Sequence, residues 1–186
     1  MFFDMARRTR PRLSSEDWLM AGFRALASQG PSALRAEALA RDLGTTKGSF
    51  YWHFKDLPDY LSQLIKLWET RAFTDILASL DPDLPPRGRL EQLCLRAAGC
   101  RDPSYGGAGL EPALRAWALS APEVADALHR MDARRLDALD SLCTQAGITD
   151  PVAPRALYAL AVGVEALGDE EGAEAMRLFL RGLDGR

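Results

Sequence analysis

The stretch Thr46-Lys47-Gly48-Ser49-Phe50-Tyr51-Trp52-His53-Phe54-Lys55 puts two ammonium groups, two aliphatic hydroxyls, a phenol, an indole and an imidazole next to one another. Cations and neutral donors in that density suit anionic oxygens and heteroaromatic edges. Gly48 leaves room for close backbone approach. Phe50 and Phe54, four residues apart, would turn inward from one helical face, leaving Lys47, Ser49, Tyr51, Trp52 and His53 outward. Elsewhere the chain offers no nucleophile beside a base. Its two histidines, His53 and His129, lie far apart in sequence, and no Gly-x-Ser-x-Gly, phosphate-binding loop, dinucleotide fingerprint or Cys-x-x-Cys occurs. An enzyme reading therefore has no constellation to rest on.

These groups need elements to hold them. Ala36, Leu39, Ala40 and Leu43 recur at helical spacing and define one apolar face. Gly44 then suits a helix-ending left-handed turn, and Thr46 an N-cap for a second short helix. A small residue (Ala40), a glycine four later and a large apolar residue six beyond that is the helix-turn-helix pattern, in which the second helix enters a DNA major groove. The same spacing also fits an ordinary helical hairpin. A preceding helix starts at Ser14-Ser15-Glu16-Asp17, with serine at the N-cap and acids in the first turn. It buries Trp18, Leu19, Gly22, Phe23 and Leu26 on one side and ends at Gly30-Pro31.

The decapeptide from Thr46 to Lys55 closely resembles the recognition-helix signature of the tetracycline-repressor (TetR/AcrR) family of bacterial transcription regulators, and the resemblance runs from about Leu13 to Leu61. It implies an all-α chain: a basic arm (1–13), a three-helix helix-turn-helix DNA-binding headpiece (14–56) and a helical ligand-binding and dimerisation body (57–186). It implies a homodimer on a palindromic double-stranded DNA operator, with most relatives repressing and a small effector in the body altering the spacing of the heads. On this sequence the DNA-contacting set is Arg35, Thr46, Lys47, Gly48, Ser49, Tyr51, Trp52, His53 and Lys55. Lys47 would meet a phosphate or a guanine edge. Ser49, Tyr51 and His53 would meet phosphates, Trp52 a sugar or thymine methyl, and Arg35 a flanking phosphate. One departure stands out: relatives carry a basic residue at the start of the fourth helix, where this chain has Leu57-Pro58, leaving Lys55 as the nearest substitute. A helix-turn-helix activator with no ligand and a helical interaction module are the alternatives.

Charge agrees with a DNA-facing end. Residues 1–55 hold nine Lys/Arg against five Asp/Glu, although the whole chain of 186 residues is net −3. A basic head on an acidic body attracts DNA at one end and repels it at the other. Arg7, Arg8, Arg10 and Arg12, interrupted by Thr9 and Pro11, read as an arm for phosphates or a minor groove, or else as a solvated tail. No run of eighteen apolar residues and no secretory signal is visible, which points to the cytoplasm and away from membranes. Cys94, Cys100 and Cys143 are too scattered for a disulfide frame, and no metal site or cofactor is expected.

The body reads as a series of helices. Asp56 and Pro58 open one that continues to about Leu80, with an apolar stripe through Tyr60, Leu64, Trp68, Phe73, Ile76 and Leu77. Others span about 89–99, 111–119, 122–146, 152–167 and 170–183. Trp68, Phe73, Cys94, Trp117 and Met131 are the residues expected around a cavity for a small, largely apolar effector. Arg115, Asp132 and Arg135 suit an ion-pair set between helices, while Asp132, Asp137 and Asp140 together also read as a solvated face. Tyr105, in a glycine-rich loop, is either a lid or a plain loop aromatic. The last two helices present Ala156, Ala159, Gly163, Ala166, Met176, Phe179 and Leu180 as the candidate dimer interface.

Overall fold

The computed structural model describes residues 13–99, 105–168 and 171–183. The basic arm with Arg7, Arg8, Arg10 and Arg12 lies outside the described residues, as does Cys100. The described residues form ten α-helices and no strand.

The first helix, α1 (Ser15–Gln29), begins with a reciprocal cap: the Ser14 hydroxyl accepts from the Asp17 amide, and the Ser14 amide donates to the Asp17 carboxylate at 2.7 Å. That exchange holds the Asp17 carboxyl below its ordinary pKa. After a 3-10 turn at Pro31–Ala33 come α2 (Ala36–Asp42) and α3 (Lys47–Phe50). Gly44 joins them at φ 62°, a conformation that a Cβ would strain. The Thr46 hydroxyl caps α3 by accepting from the Ser49 amide. The expected second helix is shorter than its apolar pattern suggests: regular helix stops at Phe50, and turn bonds from the amides of Trp52, His53 and Phe54 carry the chain on.

Inside the head, Trp18, Phe23, Leu26, Leu39, Phe50, Phe54 and Tyr60 are almost wholly buried. Phe50 stands edge-on to Trp18 at 5.4 Å, and Phe54 edge-on to Tyr60 at 4.9 Å. Tyr60 comes from α4 (Leu57–Thr70), whose N-cap is Asp56. Its hydroxyl donates to the Trp18 carbonyl at 2.9 Å. Gly22 makes this crossing possible, since a Cβ there would stand 1.9 Å from the Tyr60 hydroxyl oxygen.

The helix expected to run unbroken to Leu80 is instead interrupted. Beyond α4 the chain takes a π-helical turn over Arg71–Asp75 before α5 (Ile76–Ala78). A π turn holds an extra residue, which rotates the following side chains relative to those before it. The body continues through α6 (Pro86–Gly99), a 3-10 turn at Gly107–Gly109, α7 (Leu110–Ala118), α8 (Pro122–Gln145), α9 (Ala153–Leu167) and α10 (Gly172–Gly182). One apolar cluster runs from the head through Tyr60, Leu64 and Trp68 to Leu110, Leu114 and Met131. A second joins α6, α8, α9 and α10 around Leu90, Cys94, Cys143, Leu157, Met176 and Leu180. No helix among the described residues is long and apolar enough to cross a membrane.

Candidate nucleic-acid interface and body cavity

The outer surface of the head is built from what its core leaves over. Because Phe50 and Phe54 point inward, Tyr51 and Trp52 are forced out, 51% and 79% exposed, among the largest apolar side chains the described chain shows to solvent. Arg35, Thr46, Lys47, Gly48 and Lys55 are exposed as well, while Ser49 and His53 are half-buried. Arg35 occupies the N-cap position of α2. Lys47 forms an ion pair with Glu37 of α2 and lies 5.9 Å from the Tyr51 ring centre. Glu37 holds the Lys47 ammonium above its ordinary pKa, and Lys47 in turn lowers Glu37. Leu57-Pro58 forms the first turn of α4, and the Lys55 amide is tied to the Asp59 carboxylate at 2.9 Å. Lys55 is thus fixed by its backbone, with its side chain exposed, two residues before the start of α4.

Between the π turn and helices α6, α7, α8 and α9 lies a cavity of about 760 Å³. Its walls include Trp68, Phe73, Ile76, Leu93, Cys94, Leu139, Leu157 and Ala161. Three of the five expected pocket residues, Trp68, Phe73 and Cys94, stand there. Met131 does not, because it is completely buried in the cluster shared with the head. Trp117 also packs against that cluster and does not line the cavity. Tyr105 lines the cavity and so is more than a loop aromatic: its ring meets Phe23 of α1 edge-on at 4.6 Å.

One end of the cavity is polar. Arg115 bridges Asp132 at 2.9 Å and Glu111 at 3.2 Å, while Arg135 holds Glu111 at 2.6 Å. The Tyr158 hydroxyl donates to Asp132 at 2.6 Å and accepts from Arg115 at 2.9 Å. The expected ion-pair set is present and larger, having recruited Glu111 and Tyr158. Asp132 is turned into it, away from the solvated face on which Asp137 and Asp140 remain. Burial by itself would weaken the charges of Arg115 and Arg135, but their carboxylate partners outweigh it and raise both. Burial would likewise raise Asp132, and the bonds from Arg115 and Tyr158 hold it below the usual range instead. Glu165 of α9 also lines this end, and burial, reinforced by Glu111, pushes its carboxyl up to about 7.

The model of the bacterial regulatory proteins, tetR family, matches residues 19–56, the core of this head. The HTH-type transcriptional regulator AcrR of Shigella flexneri is 34% identical over 68 residues, 36% of this chain and 32% of that relative. The match therefore spans about a third of the relative's length. Likeness of fold extends much further. A transcriptional regulator from Rhodococcus sp. RHA1 superposes with a TM-score of 0.73 at 16% identity, over 92% of this chain and 96% of that one. A TetR-like regulator from the same organism gives 0.70 at 19% identity, over 96% and 100%. The head segment, residues 19–56, is thus of the tetR type, and the whole chain has the fold of these regulators. Its all-helical fold, a helix-turn-helix head on a helical body, is the one these regulators share.

At its C-terminal helices the chain departs from expectation. Met176 and Leu180 are buried against α6 and α9 of the same chain and are not available to a partner. The outward apolar residue of α10 is Leu178, 65% exposed. Phe179 is half-buried. On α9, Ala159 and Ala166 are exposed, Ala156 and Gly163 half-buried, and a Cβ built on Gly163 meets nothing within 4 Å. The polar cavity residues Glu111, Tyr158 and Glu165 went unread in the sequence. One signal for them was present: Glu165 is the lone acid on α9, whose one other charge is Arg155, and it is placed on the same helical face as Tyr158, Ala161 and Val162.

Proposed function

We propose that this chain is a ligand-responsive transcriptional repressor that binds a palindromic double-stranded DNA operator as a homodimer in the cytoplasm. The observation that carries the reading is the exposed edge Lys47-Tyr51-Trp52, with Arg35 and Lys55 beside it, on a buried-aromatic TetR-type head. Lys47 lies in the first turn of α3, next to the Thr46 cap, and serves a phosphate or a guanine edge. Ser49, Tyr51 and His53 serve phosphates, and Trp52 serves sugar or methyl groups.

Dimerisation rests on the outer stripe of α9, Ala156, Ala159, Gly163 and Ala166, with Leu167 and the Leu178 side of α10. Small residues let two helices approach closely about a two-fold axis. Effector binding rests on the cavity, whose volume falls within the range of small-molecule sites. The route from cavity to head is short. Arg71, in the π turn and in the cavity wall, forms an ion pair with Glu16 of α1, and Tyr105 packs on Phe23 of the same helix. A ligand that favours one arrangement of these contacts shifts the population of head spacings by its differential affinity.

The test is salt-dependent binding of wild type, Lys47→Ala and Tyr51→Phe to an operator selected from random DNA. Lys47→Ala shallows the salt slope by about one per head if Lys47 meets a phosphate. If it reads a base, the loss is concentrated at one operator position. Tyr51→Phe isolates the hydroxyl. Equal binding of all three proteins at every salt concentration would remove the assignment. Sedimentation tests the dimer: wild type sediments as a dimer at micromolar concentration, and Gly163→Arg as a monomer, because an unpaired guanidinium is costly to bury.

A further inference from the structure

The charges around the cavity do not all cancel locally. Arg115 and Arg135 are matched against Asp132 and Glu111, with Tyr158 between them. Arg71 is engaged by Glu16 and lies 5.9 Å from the Tyr105 ring centre. Arg96 of α6 donates to the Ser79 hydroxyl at 2.8 Å. Every arginine of the cavity wall, and the Arg115 behind it, thus has a partner within the protein. Against them stand Glu165 on α9 and the more exposed Asp75 in the π turn, both in the cavity wall.

We propose that the cavity takes an amphipathic monocation, its apolar body against Trp68, Phe73, Leu93 and Leu157 and its single ammonium on the carboxylate of Glu165. The proposal rests on the reading of this cavity as the effector site and adds the chemical class of the effector. At the Glu165 end an anionic group would have to displace Glu111 or Asp132 from bidentate or multiply bonded arginines, and would meet Glu165 as well; the one wall arginine with a neutral partner, Arg96, is exposed and lies on α6. A wholly apolar ligand would cover Glu165 without giving it a partner, at the cost of burying a polar group unpaired. A cation restores the charge balance at that end. Burial, with Glu111 next to it, already makes Glu165 reluctant to ionise, while Arg135 and Arg115 act the other way. A bound ammonium favours the ionised form and draws the proton off.

The experiment uses the full chain and three probes of one length, decylamine, decan-1-ol and decanoate, below their aggregation concentrations, with binding measured by titration calorimetry. In wild type at pH 8, decylamine binds at least about tenfold tighter than decanoate. Its affinity rises about tenfold between pH 6 and pH 8, as a carboxyl with a pKa near 7 goes from mostly protonated to mostly ionised, while the amine stays charged throughout. Decan-1-ol binds with no such pH dependence. Glu165→Gln loses the decylamine preference and the pH dependence but keeps decan-1-ol within a few-fold, which shows that the cavity is intact. Should Glu165→Gln fail to fold, the wild-type order of the three affinities at pH 8 decides alone. Decanoate binding as tightly as decylamine, or an unchanged decylamine affinity in Glu165→Gln, overturns the cation assignment and leaves the effector site standing. If none of the three binds, the effector-site reading falls with it.

Discussion

In the head, aromatic rings close on one another: Phe50 touches the rings of Trp18, Phe54 and Tyr60 at centroid distances of 5.0–5.4 Å, and no cavity separates them. In the body, Trp68, Phe73, Tyr105 and Tyr158 stand around about 760 Å³ of open space. Both regions use the same side chains at helical spacing, so residue type alone does not distinguish a core from a cavity wall. The difference lies in what each helix meets. Glycine at position 22 lets α1 and α4 close to contact, whereas in the body the wall includes the π turn after Thr70, and one end of the cavity is taken up by the charged Arg115–Asp132–Arg135–Glu111 cluster that ties α7 to α8. A rigid head on an adaptable body is a workable arrangement for a regulator, because DNA geometry is fixed and a ligand must be let in.

The comparison is broken most directly by truncating one ring from each region. Phe50→Ala removes a fully buried ring from a packed cluster and is expected to cost about 3–5 kcal/mol. Phe73→Ala removes a half-buried ring that already borders open space and is covered by the Arg134 guanidinium, 4.1 Å from its centre. Its expected cost is about 1 kcal/mol. Urea unfolding of the two variants checks this. Equal losses would mean that the cavity closes in solution and that the body is packed like the head.

A second way to sharpen the contrast is pH. The Glu165 carboxyl is raised in the folded chain from its ordinary 4.5 to about 7. The folded state therefore holds this proton more tightly than the unfolded state. The resulting stabilisation is fully present below about pH 4.5 and is lost as pH rises through about 7, up to about 3 kcal/mol in all. Asp132 acts with the opposite sign in a separate window: its lowered pKa gives stability above its ordinary value of 3.8 that is lost only as pH falls below it. Urea midpoints of wild type should fall between pH 5 and pH 8, and those of Glu165→Gln should stay nearly level. A parallel decline in both proteins would place the titrating group elsewhere.

How much of this was legible from sequence follows the same division. The head could be read closely because its determinants are local: Ser14 and Thr46 cap, Gly44 turns, and Phe50 and Phe54 share a face by spacing alone. Even there, the short extent of α3 was hidden, since an apolar i, i+4 pair fits a turn bonded from Phe54 back to Phe50 as well as it fits a longer helix. In the body, periodicity found the helices but not the gaps between them. Met131 and Trp117 have the size and polarity of cavity residues yet are packed away, and Met176 and Leu180 looked like interface residues yet fill their own chain's core. Amphipathic spacing says that a face is covered, not by what. The π turn at Arg71–Asp75 leaves no mark in residue composition.

The smallest effect concerns the ion pair at the edge of the head. Lys47 is held by Glu37, both side chains being at least half exposed. On DNA, Lys47 must exchange that carboxylate for a phosphate or a base edge, so Glu37 competes with the operator for the same ammonium. Glu37→Gln removes the competitor and one negative charge from the DNA-facing side. Operator affinity at low salt is expected to rise about two- to fivefold, and the gain should shrink as ionic strength grows and the pair is screened. Repulsion between Glu37 and DNA would produce a gain of similar size without involving Lys47, and the double variant separates the two causes. If Glu37 acts through Lys47, adding Glu37→Gln to Lys47→Ala gains little or nothing. If it acts directly on DNA, the gain is the same in either background, and the two effects add. Titrating fluorescent operator with the four proteins at two salt concentrations measures both terms. A loss of affinity in Glu37→Gln would mean that the carboxylate positions Lys47 for DNA, so that the exchange pictured for the head is wrong.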